Sequence, residues 1–337
     1  MPTTTPPSME PGAKIREEQT PVLAVIIPSY RVAPYIASVV REVPPYIRHI
    51  LVIDDRSPDD IPAALAEVQD PRLVYVRHEQ NRGVGGAVMT GYDRATELGA
   101  DILIKVDGDG QMDPKHIPEL IGPILDGRAD YTKGNRFLHS AELRSMPPHR
   151  RLGNMLLSFL NKAASGYWHI FDPANGYTAL HADAWRCLNR RRLAERYFFE
   201  TSLLIELGCV RAVVEDVAIA ARYQGEVSSL SPWKVTLEFP PKLLAGLIRR
   251  INANYFLHDF TPVSLFLVTG GAALLFSFLW GGYHWRRAFL TGRITPTGTV
   301  MLAVVSLVLG VQLLLQALAL DMQSVPKQPI QRRGRRG

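Results

Sequence analysis

The sequence predicts an α/β domain with a mostly parallel sheet, followed by amphipathic helices and two transmembrane helices. Four short apolar runs in the N-terminal third alternate with segments of helical character, which is typical of parallel strands joined by helices. Acidic or glycine-rich stretches follow most of these runs. Two C-terminal segments, Thr261–Tyr283 and Ile294–Leu320, contain no Asp, Glu, Lys or Arg. Each is longer than the roughly 20 apolar residues that cross a bilayer core.

The four apolar runs are expected to be strands covered on both faces, because they are continuously hydrophobic and rich in β-branched residues. They are VLAVIIP at 22–28, HILVID at 49–54, RLVYVRH at 72–78 and DILIKVD at 101–107. Helices are expected over Pro34–Glu42 and Val88–Leu98. The alternation predicts a Rossmann-like sheet with helices on both faces.

The polar stretches that follow the four strands are expected to lie along one edge of the sheet, where ligands bind in folds of this kind. They are Pro28-Ser-Tyr30, Asp54-Asp55, the loop from Asn81 to Gly86, and Asp107-Gly-Asp109. Each has a second interpretation. An acidic turn is often only solvated, and a glycine loop can bring the backbone close to another protein segment instead of a ligand. Four such stretches at one edge favour a ligand site.

The carboxylates of Asp107 and Asp109 are separated by one glycine, and a divalent metal ion explains them best. Neighbouring like charges repel, so a cation stabilises the pair. With water and the oxygens of a diphosphate, two carboxylates complete an octahedral shell for Mg²⁺ or Mn²⁺. No His/Cys set elsewhere in the sequence argues for zinc.

Four stretches, in their order and at their intervals along the chain, resemble the motifs of family 2 glycosyltransferases with a GT-A fold. They are VIIPSYR, VIDDRSPDD, NRGVGGAVMTGYDRA and DGDGQMDP. Within that family they most resemble the dolichyl- or undecaprenyl-phosphate sugar synthases, over residues 21–230. The resemblance implies a metal site at Asp107, Asp109 and Gln111. It also implies a nucleotide-sugar site that comprises Pro28, Tyr30, Asp54, Asp55, Asn81, Gly85 and Asp107. Arg31-Val32 departs from the Asn-Glu that many relatives carry after the tyrosine.

The resemblance continues on the acceptor side, in the stretches that begin at Lys133, Arg150, Asp172 and Arg222. It implies an acceptor-phosphate site, because guanidinium groups fit phosphate oxygens. That site comprises Arg136, Arg150, Arg151, Asn154, Arg222 and Ser228. The residues expected to be catalytic are Arg136 and Arg222 together with Asp107 and Asp109. Any one of these arginines, taken alone, is more readily a solvated surface charge.

The function expected from the resemblance is inverting transfer of a single sugar from a UDP- or GDP-linked donor to a polyprenyl phosphate. A phosphate acceptor is already ionised, so it needs no general base. The alternative is a family 2 enzyme that acts on a hydroxyl acceptor, a lipid or a glycan, in cell-envelope polysaccharide synthesis. That enzyme would need a base, for which Asp172, Glu200 and Asp216 are the candidates. A non-catalytic membrane scaffold is disfavoured by the intact Asp107 and Asp109.

The segment Ser231–Phe260 is expected to contain interfacial amphipathic helices that lie on the bilayer. Its apolar residues fall at helical spacing on one face: Leu243, Leu244, Leu247, Ile248, Ile251 and Tyr255, with Trp233 and Phe239 as aromatic anchors. An ordinary amphipathic helix packed against the domain is the alternative. The two charge-free segments could likewise be buried core helices. Their length favours two transmembrane helices within 261–321, followed by a basic tail at 322–337.

The net charge of +6 suits an anionic membrane surface, and no nucleic-acid-binding motif accompanies the basic patches. Residues 1–20 are expected to form a disordered tail without the apolar core of a secretory signal. The sequence therefore predicts an integral membrane protein of a bacterial-type plasma membrane with its catalytic domain in the cytoplasm. Its expected partners are a nucleotide sugar, a polyprenyl phosphate and the lipid bilayer, with self-association as a homo-oligomer left open.

Overall fold

The structure is a computed structural model of the 337-residue chain, and it describes residues 20–135, 148–170, 175–219 and 232–333. For residues 148–154 and 232–237 it describes the backbone. The seven strands among the described residues form one sheet in the order β3-β2-β1-β4-β6-β5-β7. They are β1 (Leu23–Ser29), β2 (His49–Asp54), β3 (Leu73–Arg77), β4 (Ile102–Lys105), β5 (Tyr131–Asn135), β6 (Thr178–His181) and β7 (Val214–Ala218).

The sheet is mostly parallel, as the sequence predicts. Strands β1 to β4 pair in parallel, and β7 pairs in parallel with β5. Strand β6 is the exception, since it runs antiparallel to both β4 and β5. The four strands expected from the apolar runs are all present at the predicted places.

Helices cover both faces of the sheet. They are α1 (Ala33–Glu42), α2 (Ile61–Leu65), α3 (Gly83–Glu97), α4 (Ile117–Leu125), α5 (Pro148–Ser165), α6 (Ala182–Cys187) and α7 (Phe199–Cys209). Alternate residues of β1 point to opposite faces. Ile26 packs in the core with α3 and α7, whereas Val25 and Ile27 pack in the core with α1 and α4. Strands β1, β2 and β4 are buried on both faces, as predicted. The prediction is wrong for β3, which is partly exposed because it lies at the edge of the sheet.

Helix α3 begins at Gly83, five residues before the helix start expected at Val88. The carboxylate of Asp55 explains the early start, because it accepts hydrogen bonds from the backbone N–H groups of Arg82 (2.8 Å) and Gly83 (2.7 Å). These are donors that the beginning of a helix leaves without intrahelical partners. The glycine-rich stretch thus forms the first turn of a helix instead of a separate loop.

The C-terminal part contains α8 (Pro232–Asn252), a π-helical turn (Ala253–Leu257), and the long helices α9 (Pro262–Thr291) and α10 (Thr297–Gln323). Helices α9 and α10 are long and apolar enough to cross a membrane. They pack as an antiparallel hairpin with close backbone approach, since a Cβ on Gly270 would lie 3.1 Å from the carbonyl oxygen of Gly310. Helix α9 extends beyond the predicted span, so that Arg286 and Arg287 are helical and Arg293 lies in the loop.

The apolar face predicted for α8 divides between two environments. Leu243 and Tyr255 are buried against the domain and the hairpin, as the packed-helix alternative requires. Leu244 and Ile248 are exposed, at 57% and 61%, as an interfacial helix requires. The segment therefore has both a packed apolar side and an exposed one, and its location at the bilayer surface stays a prediction.

The end of α10 is tied back to the α/β domain. The short helix α11 (Ile330–Arg333) follows α10, and Asp130 accepts hydrogen bonds from the backbone N–H groups of Ile330 (2.9 Å) and Gln331 (3.2 Å). The Gln331 amide donates to the carbonyl oxygens of Ile124 and Ala129. The C-terminal end of the hairpin therefore lies beside the domain, as its N-terminal end does.

Candidate active site

A cleft of about 720 Å³ opens at the carboxyl ends of β1 and β4. One wall comes from the loops at this edge of the sheet and contains Pro28, Tyr30, Asp55, Asn81, Gly83, Asp107 and Asp109. The other wall comes from helices α5, α7 and α8 and contains Leu157, Asn161, Glu200, Thr201 and Phe239. All four stretches predicted to converge at the sheet edge contribute to the cleft.

Asp55 organises the β2 side of the cleft. The residue is only 2% exposed, and its carboxylate accepts three hydrogen bonds, from the backbone N–H groups of Arg82 and Gly83 and from His78 Nδ1 at 2.8 Å. The Asn81 amide donates to the backbone oxygen of Asp55 at 3.0 Å. Asp55 therefore fixes the loop that carries Asn81 and also contributes to the cleft lining.

Three of the predicted donor-site residues do not line the cleft. Asp54 is fully buried, and its carboxylate accepts hydrogen bonds from Tyr75 Oη at 2.6 Å and the Ser57 N–H at 2.7 Å. Gly85 is needed for helix packing, because a Cβ there would lie 2.4 Å from the carbonyl oxygen of Ala194. Gln111 lies next to the acids, and its backbone N–H donates to Asp109 Oδ1 at 3.0 Å.

The pair Asp107 and Asp109 lies on the β4 side of the cleft, opposite the helical wall. Gly108 between them packs under the end of β1, where a Cβ would lie 3.0 Å from a methyl group of Val32. Gly110 has a left-handed backbone, with φ at 79°, which a residue with a side chain rarely adopts. Both glycines therefore let the chain turn so that the two carboxylates reach the cleft.

The donor chemistry at Asp107 and Asp109 fits Mg²⁺ or Mn²⁺. Both ions prefer oxygen ligands, and Mg²⁺ is usually held by one or two carboxylates together with water and substrate phosphates. Among the described residues there is no group of three or more His, Cys, Asp or Glu side chains that could hold a metal by itself. The two carboxylates therefore suit an ion that a bound diphosphate helps to hold.

An ion pair between Lys105 and Glu200 lies beside the two aspartates. The sequence did not predict this pair. The Lys105 side chain is 2% exposed, and its Nζ lies 2.8 Å from Asp107 Oδ1 and 3.3 Å from Glu200 Oε1. Burial acts to lower the pKa of the Lys105 ammonium, but the charges of Asp107 and Glu200 outweigh it and raise this pKa above its usual value. The sequence did contain a signal for such a pair, namely a lysine inside an apolar strand, since a buried charge needs partners.

The acceptor-side residues are described only in part. Arg136, Arg222, Ser228 and Asp172 lie outside the described residues. Arg150, Arg151 and Asn154 lie in the first half of α5, where the backbone is described, and Leu157 and Asn161 of the same helix line the cleft. Asp216 lies in β7 and accepts a hydrogen bond from the Asn135 amide at 3.1 Å, outside the cleft lining.

Arg196 and Tyr197 also line the cleft, at the loop before α7. The sequence predicted no role at the site for either residue. A Cβ on Gly83 would lie 2.8 Å from the Arg196 side chain, so Gly83 makes room for this arginine beside the donor loops.

Comparisons with known proteins agree with this geometry. The model of the family described as Glycosyl transferase family 2 matches residues 24–188. The UDP-N-acetylglucosamine–dolichyl-phosphate N-acetylglucosaminyltransferase of Methanococcus voltae is 32% identical over 191 residues, which is 52% of this chain and 76% of that protein. The polyprenol monophosphomannose synthase of Mycolicibacterium smegmatis is 32% identical over 182 residues, which is 50% of this chain and 64% of that protein.

The fold has solved counterparts. Glucosyl-3-phosphoglycerate synthase from Mycobacterium tuberculosis, in complex with UDP, is similar with a TM-score of 0.52 at 18% identity, and the match covers 67% of this chain and 80% of that chain. Mannosyl-3-phosphoglycerate synthase from Rubrobacter xylanophilus gives a TM-score of 0.51 at 15% identity, over 71% of this chain and 77% of that chain. Sequence and fold together lead to one assignment. The chain belongs to glycosyl transferase family 2, and it is a GT-A glycosyltransferase related to the polyprenyl-phosphate sugar transferases.

Proposed function

We propose that this enzyme transfers one sugar from a UDP- or GDP-linked donor to a polyprenyl phosphate at the cytoplasmic face of the membrane, with inversion at the sugar. The observation that carries the proposal is the makeup of the cleft. Its donor wall presents Asp107 and Asp109, and its other wall comes from α5, α7 and α8, of which α5 and α8 also present exposed apolar side chains.

The donor side of the proposal assigns the metal to Asp107 and Asp109, assisted by Gln111. The bound ion would neutralise the diphosphate as it leaves the sugar. Tyr30, which is 45% exposed, and Asn81 offer an aromatic face and an amide to the nucleotide. Asp55 acts there mainly by fixing the Asn81 loop, and Pro28 shapes the wall. Asp54 and Gly85 contribute through the fold around the donor site.

The acceptor side of the proposal assigns the lipid phosphate to Arg136, Arg150, Arg151, Asn154, Arg222 and Ser228. This assignment rests on the sequence motifs. The helical wall adds support, because α5 and α8, which line the cleft, also carry exposed apolar residues: Met155, Leu156, Phe159, Leu244 and Ile248. A polyprenyl chain could lie on this surface while its phosphate enters the cleft.

A phosphate acceptor needs no general base, which is consistent with a Glu200 carboxylate that is already paired with Lys105. An ionised phosphate attacks without losing a proton, so positioning and departure of the diphosphate are sufficient. Glu200 accepts a hydrogen bond from the Lys105 ammonium, so one of its oxygens is already engaged.

A hydroxyl acceptor is the second candidate, and the position of Glu200 favours it. Glu200 lines the cleft, whereas Asp216 does not, so Glu200 is the described carboxylate placed to act as a general base. In that case Glu200→Gln would abolish transfer to an alcohol. For a phosphate acceptor, the same change would retain a substantial fraction of turnover.

The test is a screen of UDP- and GDP-sugars with the full-length enzyme in vesicles that contain either polyprenyl phosphate or the matching polyprenol. We expect transfer to the phosphate with one nucleotide sugar. Asp109→Asn should lower turnover by about 10²-fold or more, if the metal contributes several kcal/mol. Asp183→Asn, a partly exposed acid on α6, is the matched control. Transfer to the polyprenol alone, or full activity of Asp109→Asn in a chelator, would contradict the proposal.

A further inference from the structure

The buried Lys105 is surrounded in a way that ordinary core lysines are not. It ends β4, and Asp107 follows two residues later on the same side of the chain. Its Nζ contacts Asp107 Oδ1 at 2.8 Å and Glu200 Oε1 at 3.3 Å. The two carboxylates come from different elements, since Glu200 lies in the first turn of α7. The ammonium therefore bridges the acidic turn and the helical wall of the cleft.

The third side of this bridge is closed by Gly176. A Cβ at that position would lie 2.5 Å from Lys105 Nζ and 3.0 Å from Asp107 Oδ2. Glycine is thus required for the backbone to approach the ammonium and the carboxylate together. The Lys105 ammonium therefore occupies the space between Asp107, Glu200 and Gly176.

Without the ammonium, the carboxylates of Asp107 and Glu200 that now contact it would be available to a divalent ion. An ion between them would gain the Glu200 carboxylate, which the D-x-D pair alone does not supply. With the ammonium in place, Glu200 is engaged and a fixed positive charge lies beside Asp107. The divalent ion then has two protein carboxylates and must take further oxygens from the donor.

We propose that Lys105 is a tethered cation that fills a second cation site between Asp107 and Glu200, and thereby makes binding of the divalent metal depend on the donor's diphosphate. Lys105 is a positioning residue. It holds Asp107 in place for the metal and keeps Glu200 out of the metal's ligand shell. The inference rests on the proposed metal-dependent transfer, and it adds an order of binding in which metal and nucleotide enter together.

The test measures Mn²⁺ binding by electron paramagnetic resonance on the purified full-length protein, alone and with UDP or GDP. For the wild type we expect weak binding that nucleotide strengthens at least about tenfold, because the diphosphate supplies missing ligands. Lys105→Gln removes the charge and keeps a hydrogen-bond donor. It should bind Mn²⁺ without nucleotide at least about tenfold more tightly than the wild type, since a repelling charge is lost and a carboxylate is released. Its turnover should fall.

Three further variants separate this role from simple structural damage. Lys105→Met should repeat the gain in Mn²⁺ affinity. Adding Glu200→Gln to Lys105→Gln should return Mn²⁺ binding to within about threefold of the wild type, because the extra carboxylate is gone. Lys242→Gln removes an ammonium that pairs with Glu238 on α8, and it should leave Mn²⁺ binding without nucleotide unchanged.

The sign of the change decides the outcome, since damage to the site would weaken Mn²⁺ binding. Folded Lys105→Gln and Lys105→Met proteins that bind Mn²⁺ no more tightly than the wild type would overturn the inference and leave the proposed function standing. A wild type that binds no Mn²⁺ even with UDP or GDP would overturn both.

Discussion

A buried ion pair between Arg250 and Asp321 is expected to hold the catalytic domain on its membrane hairpin. Arg250 lies in α8 and Asp321 near the end of α10, and their side chains are only 3% and 9% exposed. The guanidinium contacts both carboxylate oxygens, at 2.7 and 3.0 Å, and donates to the carbonyl oxygens of Ala163 and Ala164 in α5. Tyr255 donates to the same carboxylate at 2.5 Å. Asp321 thus connects α8 to the end of the hairpin, and through Arg250 it also connects α5 to it.

Asp321→Asn should destabilise the protein strongly. It keeps the shape of the side chain and removes its charge, which leaves a buried guanidinium without a counter-ion. Removing one partner of a buried pair costs about 3 to 5 kcal/mol. For a domain of this size that corresponds to a fall in melting temperature of about 6 to 20 °C.

The assay is thermal unfolding of the detergent-purified full-length protein. Glu97→Gln is the matched control, because it breaks an exposed pair with Arg94 and should cost less than about 1 kcal/mol. The double variant with Arg250→Gln should recover part of the loss, since the uncompensated charge is then removed. A shift for Asp321→Asn no larger than that of Glu97→Gln, or strictly additive effects of the two changes, would refute this reasoning.

Three further outcomes are expected, two from the structure and one, at Arg222, from the sequence motifs. Gly176→Ala should lower turnover sharply, because its Cβ would lie 2.5 Å from the Lys105 ammonium. Gly122→Ala is the control and should not lower turnover, because its Cβ would have nothing within 4 Å. Equal activity of the two variants would contradict the cleft geometry. Tags at both termini should resist protease added outside right-side-out vesicles, since both ends of the hairpin lie beside the catalytic domain. Digestion of one tag alone would exclude a topology with both termini on the cytoplasmic side. Arg222→Ala should raise the apparent KM for polyprenyl phosphate and leave the Kd for the nucleotide sugar nearly unchanged, and Arg222→Lys should recover little because it lacks the guanidinium fork. An equal loss in both constants would indicate a folding role instead.

The sequence predicted the elements whose signal is local. The signals for the four strands and the two long apolar helices lie in consecutive residues, so the predicted places were correct within a few positions, except for the end of α9, which lies eight residues beyond Tyr283. Convergence of the strand-end loops followed from parallel topology alone. The start of α3 was missed, because it depends on hydrogen bonds from its first turn to Asp55, a residue 27 to 28 positions away.

By itself the sequence determined that the chain has a parallel α/β core, an acidic pair at one sheet edge and an apolar hairpin, because periodicity and composition are properties of neighbouring residues. The tertiary structure decided which of two adjacent aspartates reaches the cleft, Asp55 and not Asp54. It also paired Lys105 with Glu200 across 95 positions and Arg250 with Asp321 across 71. A charged residue within an apolar segment indicates that a partner is needed, but only the packing of distant elements determines which residue that partner is.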